Sequence, residues 1–192
     1  MRPKSVRVKT GGSPDQLYTA ADQKSFSRIT TSAEDDLIDT FIKTATAKAE
    51  NNTRIAFLDT TFEAFYDEFP YKMYIPRGVV SSITSVSYYG TSNSLQTVDL
   101  ANLDIDLKSK PAIIKAKEDF TFPETYERQN AVIIEFVAGY GADKTAVPED
   151  ILTAVKLFVG ALYDGDRMDK RAGNAMPTAA EVLLRPYEDL YF

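Results

Sequence analysis

Asp104 and Asp106, two carboxylates two residues apart, have a spacing that chemistry can use. Side chains repeat every second residue along an extended strand, so both would project from one face, as a shared metal site or the acid pair of a glycoside hydrolase requires. The chain holds 28 acidic residues, however, and such pairs arise by chance at that density. Asp164-Gly165-Asp166-Arg167-Met168-Asp169 begins like a calcium loop, but its glycine is out of place and Ala175 occupies the position where a bidentate Glu is needed. A solvated helix end fits that stretch better. Gly139-Tyr140-Gly141-Ala142-Asp143-Lys144 opens like a dinucleotide loop, then has Lys144 in place of the third glycine and no acid-ended βαβ unit after it. It reads as a turn from strand to helix.

The residue inventory narrows the chemistry further. There is no His, Cys or Trp in 192 residues, which excludes imidazole bases, thiolate nucleophiles and His/Cys sites for zinc, haem or iron–sulfur clusters. Neither a metal nor a cofactor is expected, and no residue is assigned to catalysis. Phe62, Phe65, Tyr66, Phe69 and Tyr71 are dense enough to stack bases, yet they lack the basic neighbours a single-strand groove needs, so core packing is the expectation. No apolar run approaches the ~20 residues of a membrane-spanning helix, and no secretory leader is read in Met1–Thr10.

Charge is unevenly spread. The chain carries 22 basic and 28 acidic residues, a net charge of −6, but residues 1–14 hold Arg2, Lys4, Arg7 and Lys9 and no acid, leaving −10 (18 − 28) after Pro14. Apolar and basic residues alternate in Val6-Arg7-Val8-Lys9, the period of a strand or extended arm, before Gly11-Gly12-Ser13-Pro14 breaks the chain.

The remaining elements follow from periodicity. A short helical stretch at Tyr18–Ser27 precedes a helix over about 32–51, with Ser32 as its cap and Leu37, Ile38, Phe41, Ile42 and Ala45 on one face. Strands are predicted at 61–66, 73–75, 83–89, 95–98, 103–107, 112–115 and 131–137, with a turn at Gly90-Thr91-Ser92-Asn93. The helical period returns at Pro148-Glu149-Asp150, with Ile151, Val155, Phe158, Val159 and Leu162 on the buried face as far as about 164. Thr178 and Glu181 have capping-box spacing for a short helix over about 179–185, ended by Pro186. The layout is α+β: a small helical bundle with an antiparallel, β-rich insertion over about 55–138 between the long helices. A basic arm (1–14), one domain (15–186) and a C-terminal tail (187–192) complete the expected organisation.

The order of landmarks resembles the phage head-tail connector (adaptor, or head-completion) family, the gp6-like proteins of tailed phages and gene transfer agents. The likeness rests on Ala20-Ala21-Asp22-Gln23-Lys24, Asp35-Asp36-Leu37-Ile38, Phe69-Pro70, Ile75-Pro76-Arg77-Gly78-Val79-Val80 through Val86, Phe136-Val137-Ala138-Gly139-Tyr140-Gly141, Val147-Pro148-Glu149-Asp150-Ile151 and Leu183-Leu184-Arg185-Pro186-Tyr187. It covers nearly all of residues 15–190 and departs at the basic start and the Glu188–Phe192 extension. The resemblance implies a structural virion protein without enzymatic activity, located at the head-tail interface and assembled in the host cytoplasm. It implies a homo-oligomeric ring, about twelve subunits by family, with the portal protein on one side, a stopper or tail-completion protein on the other, and double-stranded DNA passing through without specific binding. Within that frame, Arg7 and Lys9 are expected to pair with an acidic flank of a neighbour or of the portal. Tyr187, Leu190, Tyr191 and Phe192 have the composition of a portal-docking anchor. Two alternatives stand beside this reading: a carboxylate-dependent hydrolase of cell-wall sugar using Asp104 and Asp106, and a single-strand nucleic-acid-binding accessory protein.

Overall fold

The computed structural model describes residues 1–11, 17–164 and 176–188. Among them the chain forms two compact units, a β unit from Met1–Gly11 and Asp59–Tyr140 and a helical unit from residues 17–58, 141–164 and 176–188. The α+β class and the β-rich insertion between the long helices are as the periodicity indicates.

Eight strands lie in the β unit: β1 (Ser5–Thr10), β2 (Thr60–Tyr66), β3 (Met73–Ile75), β4 (Val80–Tyr89), β5 (Leu95–Val98), β6 (Leu103–Asp106), β7 (Ala112–Ala116) and β8 (Val132–Ala138). They form a five-stranded sheet in the order β1-β2-β8-β4-β5 and a three-stranded sheet in the order β3-β7-β6, with every pairing antiparallel. The β2/β8 register sets Phe62 opposite Phe136 and Ala64 opposite Ile134. These residues, with Tyr66, Val86 and Tyr88, are buried on one sheet face, and the Phe62 and Phe136 rings stack at 5.5 Å. The second sheet buries Met73, Ile75, Leu103, Ala112 and Ile114, and the Tyr66 hydroxyl donates to the Tyr74 carbonyl at 2.9 Å. β8 alternates buried and half-buried residues, the pattern of a strand with one solvated face, whereas β2 is buried on both faces from Phe62 to Tyr66.

The helical unit contains α1 (Ala20–Ser27), α2 (Asp35–Thr53), α3 (Glu149–Asp164) and α4 (Thr178–Leu184). Ile38, Ile42, Ala45 and Ala49 make the buried stripe of α2, while Leu37 and Phe41 at its margin are half-buried. Ile151, Val155, Phe158 and Val159 are buried on α3 as their spacing predicts, and Leu162 is half-buried. Each fully buried Ile or Phe side chain contributes roughly 1.5–3 kcal/mol. Gln23 is fully buried on α1, where its amide donates to the Ser27 hydroxyl and the Lys156 carbonyl.

Two expected helix caps do not form. Pro177, fixed at φ −58° with extended ψ, takes the cap position, so α4 starts at Thr178 and Glu181 N–H bonds the Pro177 carbonyl instead of the Thr178 side chain. Ser32 lies upstream of α2, whose cap residue is Glu34 without a side-chain bond. A capping box does form at α1, where Thr19 and Asp22 bond reciprocally. The acidic repeat Asp164–Asp169 falls largely outside the described residues.

At Gly141 an added Cβ would stand 2.6 Å from the Cβ of Ala146. Gly141→Ala is therefore expected to destabilise by about 1–3 kcal/mol. Adding Ala146→Gly should recover part of that loss, as read by a double-mutant cycle of denaturant midpoints; strict additivity of the two changes would show that this contact carries no strain.

Candidate interaction surfaces

The arm residues Arg7 and Lys9 lie on the solvent side of the five-stranded sheet because β1 pairs with β2 in a register that sets Arg7 opposite Glu63. On the other flank of β2, Glu63 stands opposite Glu135 of β8. Two like charges directly across a strand pair are destabilising, and the arm supplies the counter-charge. Arg7 Nε lies 2.6 Å from Glu63 Oε2, and Lys9 Nζ lies 2.6 Å from Glu135 Oε2 and 3.8 Å from Glu63 Oε1. The Arg7 guanidinium also sits 5.1 Å from the centre of the Phe65 ring. Lys4 adds a fourth pair at 3.4 Å to Asp67, which further accepts the Asn130 backbone N–H at 3.0 Å. The hydrogen bond and charge of Glu135 raise the Lys9 pKa. The Asn130 N–H, seconded by Lys4, holds the Asp67 carboxyl below the usual aspartate range.

The structure thus brings Arg7 and Lys9 together with Glu63 and Glu135 of the same chain, with the Arg7 side chain still 68 % exposed and that of Lys9 46 %. Glu63 and Glu135 were not singled out from the sequence. Their signal is a lone acid at the outward phase of an otherwise apolar strand, in Phe62-Glu63-Ala64 and Ile134-Glu135-Phe136.

At the other terminus, Tyr187 is half-buried in a single turn of 3₁₀ helix (Arg185–Tyr187), and its hydroxyl donates to Asp150 Oδ2 at 3.3 Å. Burial, then the Asp150 charge, raises its pKa. Leu190, Tyr191 and Phe192 lie outside the described residues.

The residues weighed for chemistry are otherwise engaged. Asp104 and Asp106 do share one exposed face of β6, but Asp104 pairs with Lys115 at 2.9 Å. Asp106 accepts from the backbone N–H of Lys108 and Ser109 and from the Ser109 hydroxyl. Those bonds, the Ser109 hydroxyl foremost, lower the Asp106 pKa, the reverse of what a general acid in glycoside hydrolysis needs. No group of three or more acidic side chains suited to a metal is found among the described residues. Of the candidate base-stacking aromatics, Phe62, Phe65 and Tyr66 are buried and Phe69 stacks on Phe122 at 4.4 Å, leaving Tyr71, 82 % exposed, as a lone open ring. No described helix is long and apolar enough to cross a membrane.

A helical unit interrupted in sequence by an antiparallel β unit carries these surfaces, and the carboxylates weighed for chemistry are held in charge pairs and turns. Residues 19–109 match the family described as Phage gp6-like head-tail connector protein, the family that the order of landmarks resembles. No curated protein matches the chain. Three solved structures share the fold. A chain of the neck of an empty gene transfer agent (GTA) particle computed with C6 symmetry superposes with a TM-score of 0.78 at 22 % identity, covering 96 % of this chain and 95 % of that one. A chain from the virion of a native GTA particle gives 0.77 at 22 % identity, covering 95 % and 94 %. The neck of a native GTA particle computed with C12 symmetry gives 0.73 at 19 % identity, covering 96 % and 94 %.

Removing the Arg7 side chain leaves Glu63 opposed to Glu135 with Lys9 alone between them. Arg7→Ala should lower stability by about 0.5–1 kcal/mol, and by less in a Glu63→Gln background; equal losses in both backgrounds would rule the pair out as the cause. A carboxyl held low in the folded state stabilises above the ordinary aspartate pKa and loses that contribution as pH falls toward the folded value. Asp67→Asn should therefore flatten the acid limb of a stability–pH curve, and an unchanged limb would remove Asp67 from it.

Proposed function

We propose that the chain is a structural virion protein, a head-tail connector subunit that assembles as a ring at the head-tail interface. The family match over residues 19–109, on a fold shared along nearly the whole chain with neck and virion chains of GTA particles, carries this reading. The C6 and C12 symmetries of the neck assemblies support a cyclic arrangement. In the finer reading the portal protein lies on one side of the ring and a stopper or tail-completion protein on the other, double-stranded DNA passes through the centre, and the subunit catalyses nothing.

The distribution of charge supports passage without binding. Residues 1–11 and 59–140 carry 11 basic and 12 acidic side chains, while the rest of the chain carries 11 and 16, so the acidity belongs to the helical unit and its flanking segments. A ring multiplies that excess, and acid lining a bore repels phosphate and lets a duplex slide. The outward sides of Arg7 and Lys9 fit contact with an acidic flank of a neighbouring subunit or of the portal, and the aromatic Tyr187–Phe192 tail fits docking on the portal.

Deleting residues 187–192 should leave a folded subunit whose incorporation into portal-bearing particles, read by immunoblot of purified particles, falls at least tenfold. Undiminished incorporation would defeat the docking role of the tail, and absence of the intact chain from neck-bearing particles would defeat the connector reading itself.

A further inference from the structure

The helical unit contains a cleft of about 660 Å³ between the C-terminal end of α2 and α4, lined among others by Asn51, Arg54, Val182 and Arg185. Arg54 ends α2 in the left-handed conformation, at φ 60° and ψ 22°, a place where Gly or Asn is the easy choice. Neither the Arg54 nor the Arg185 guanidinium has a hydrogen-bond or ion-pair partner among the described residues, and Val182 between these elements is 62 % exposed. An exposed apolar residue flanked by unpaired arginines has the composition of a protein-contact surface.

The complement lies at the opposite end of the same helix. Glu34 and Asp35 are taken there by the Tyr163 hydroxyl and Lys24. The Asp36 and Asp39 carboxylates have no partner among the described residues. One patch thus offers two unpaired carboxylates, and the other two unpaired guanidiniums with an exposed apolar side chain. Asp36 and Arg54 are separated by about 27 Å along α2. Two complementary patches at different places on one molecule make a heterologous, head-to-tail contact, the kind that closes rings.

We infer that the Arg54/Arg185 cleft receives the Asp36/Asp39 end of α2 from a second copy of this chain. The inference rests on the ring reading above and names the contact that would build it. A duplex phosphate is the weaker occupant, because Glu181 and Glu188 also line the cleft and would repel a continuous strip of negative charge, whereas a protein patch can present discrete carboxylates.

The test pairs two full-length variants, Arg54→Glu/Arg185→Glu and Asp36→Lys/Asp39→Lys, each checked for folding by thermal melting. Expressed singly with portal-bearing particles, each should incorporate at least tenfold less than the unaltered chain; expressed together, they should recover incorporation, since each supplies the charge the other's altered patch now matches. Normal incorporation of both single variants, or loss without recovery on mixing, overturns the contact while the connector reading stands if the unaltered chain enters the particles. As the chain has no Cys, Asp39→Cys/Arg54→Cys gives an independent readout: mild oxidation of particles should give a ladder of covalent multimers, and monomer alone overturns the contact. Loss of short-duplex binding by the Arg54→Glu/Arg185→Glu variant with assembly intact would assign the cleft to DNA and overturn it equally.

Discussion

Glu63 and Glu135 face each other across the two central strands β2 and β8, and the arrangement of the β unit follows from the need to balance them. Neither carboxylate can be moved without shifting the register, and shifting it by one residue would turn Phe62, Ala64, Ile134 and Phe136 from the core to solvent. The countercharge comes from β1, which pairs with β2, while β4 on the far side of β8 sets the uncharged Ser85 opposite Glu135. The Val6-Arg7-Val8-Lys9 alternation of β1 aims both bases at the acid pair. The segment whose alternation reads from sequence as a strand or extended arm is thereby an edge strand with a definite structural task. Lys and Arg along that edge also discourage pairing with a further strand.

The same pairing redistributes charge between the units. With the first eleven residues counted in the β unit, its acids and bases nearly cancel, and the excess acid stays with the residues of the helical unit. The contrast between a basic arm and an acidic remainder, seen along the sequence, becomes in the fold a contrast between a balanced β unit and an acidic helical one.

What the sequence made legible was local. Met73–Ile75 and Leu95–Val98 form strands with the predicted bounds because Pro76 and the Gly90–Asn93 turn punctuate them. The α2 and α3 faces follow their 3.6-residue period. The helix starts were less legible, since a cap depends on backbone geometry at one residue: Pro177 displaced the cap expected at Thr178, and the box at Thr19 and Asp22 opens a helix with no apolar stripe to announce it. The pairing of Arg7 with Glu63 spans 56 positions and that of Lys9 with Glu135 spans 126, so no local pattern could join them. The carboxylate pair on β6 shows the converse. Its shared face was legible, but the partners that disarm it, Lys115 and Ser109, come from the neighbouring strand and the following turn.

The titration shifts of the described side chains share one direction. Catalytic acids and bases are moved toward neutral pH, so that a proton can be exchanged. Here Asp22, Asp67, Asp106 and Asp143 are all lowered, chiefly by hydrogen bonds that favour the carboxylate. Lys9 and Lys115 are raised, chiefly by bonds to Glu135 and Asp104, and burial raises the Tyr66 hydroxyl. Each of these side chains moves away from neutrality. The ionisation of those residues is therefore insensitive to pH near 7, a constancy that their hydrogen bonds and burial secure. It suits a subunit that must present the same charge pattern to its neighbours throughout assembly, since recognition by charge complementarity fails when the charges themselves vary.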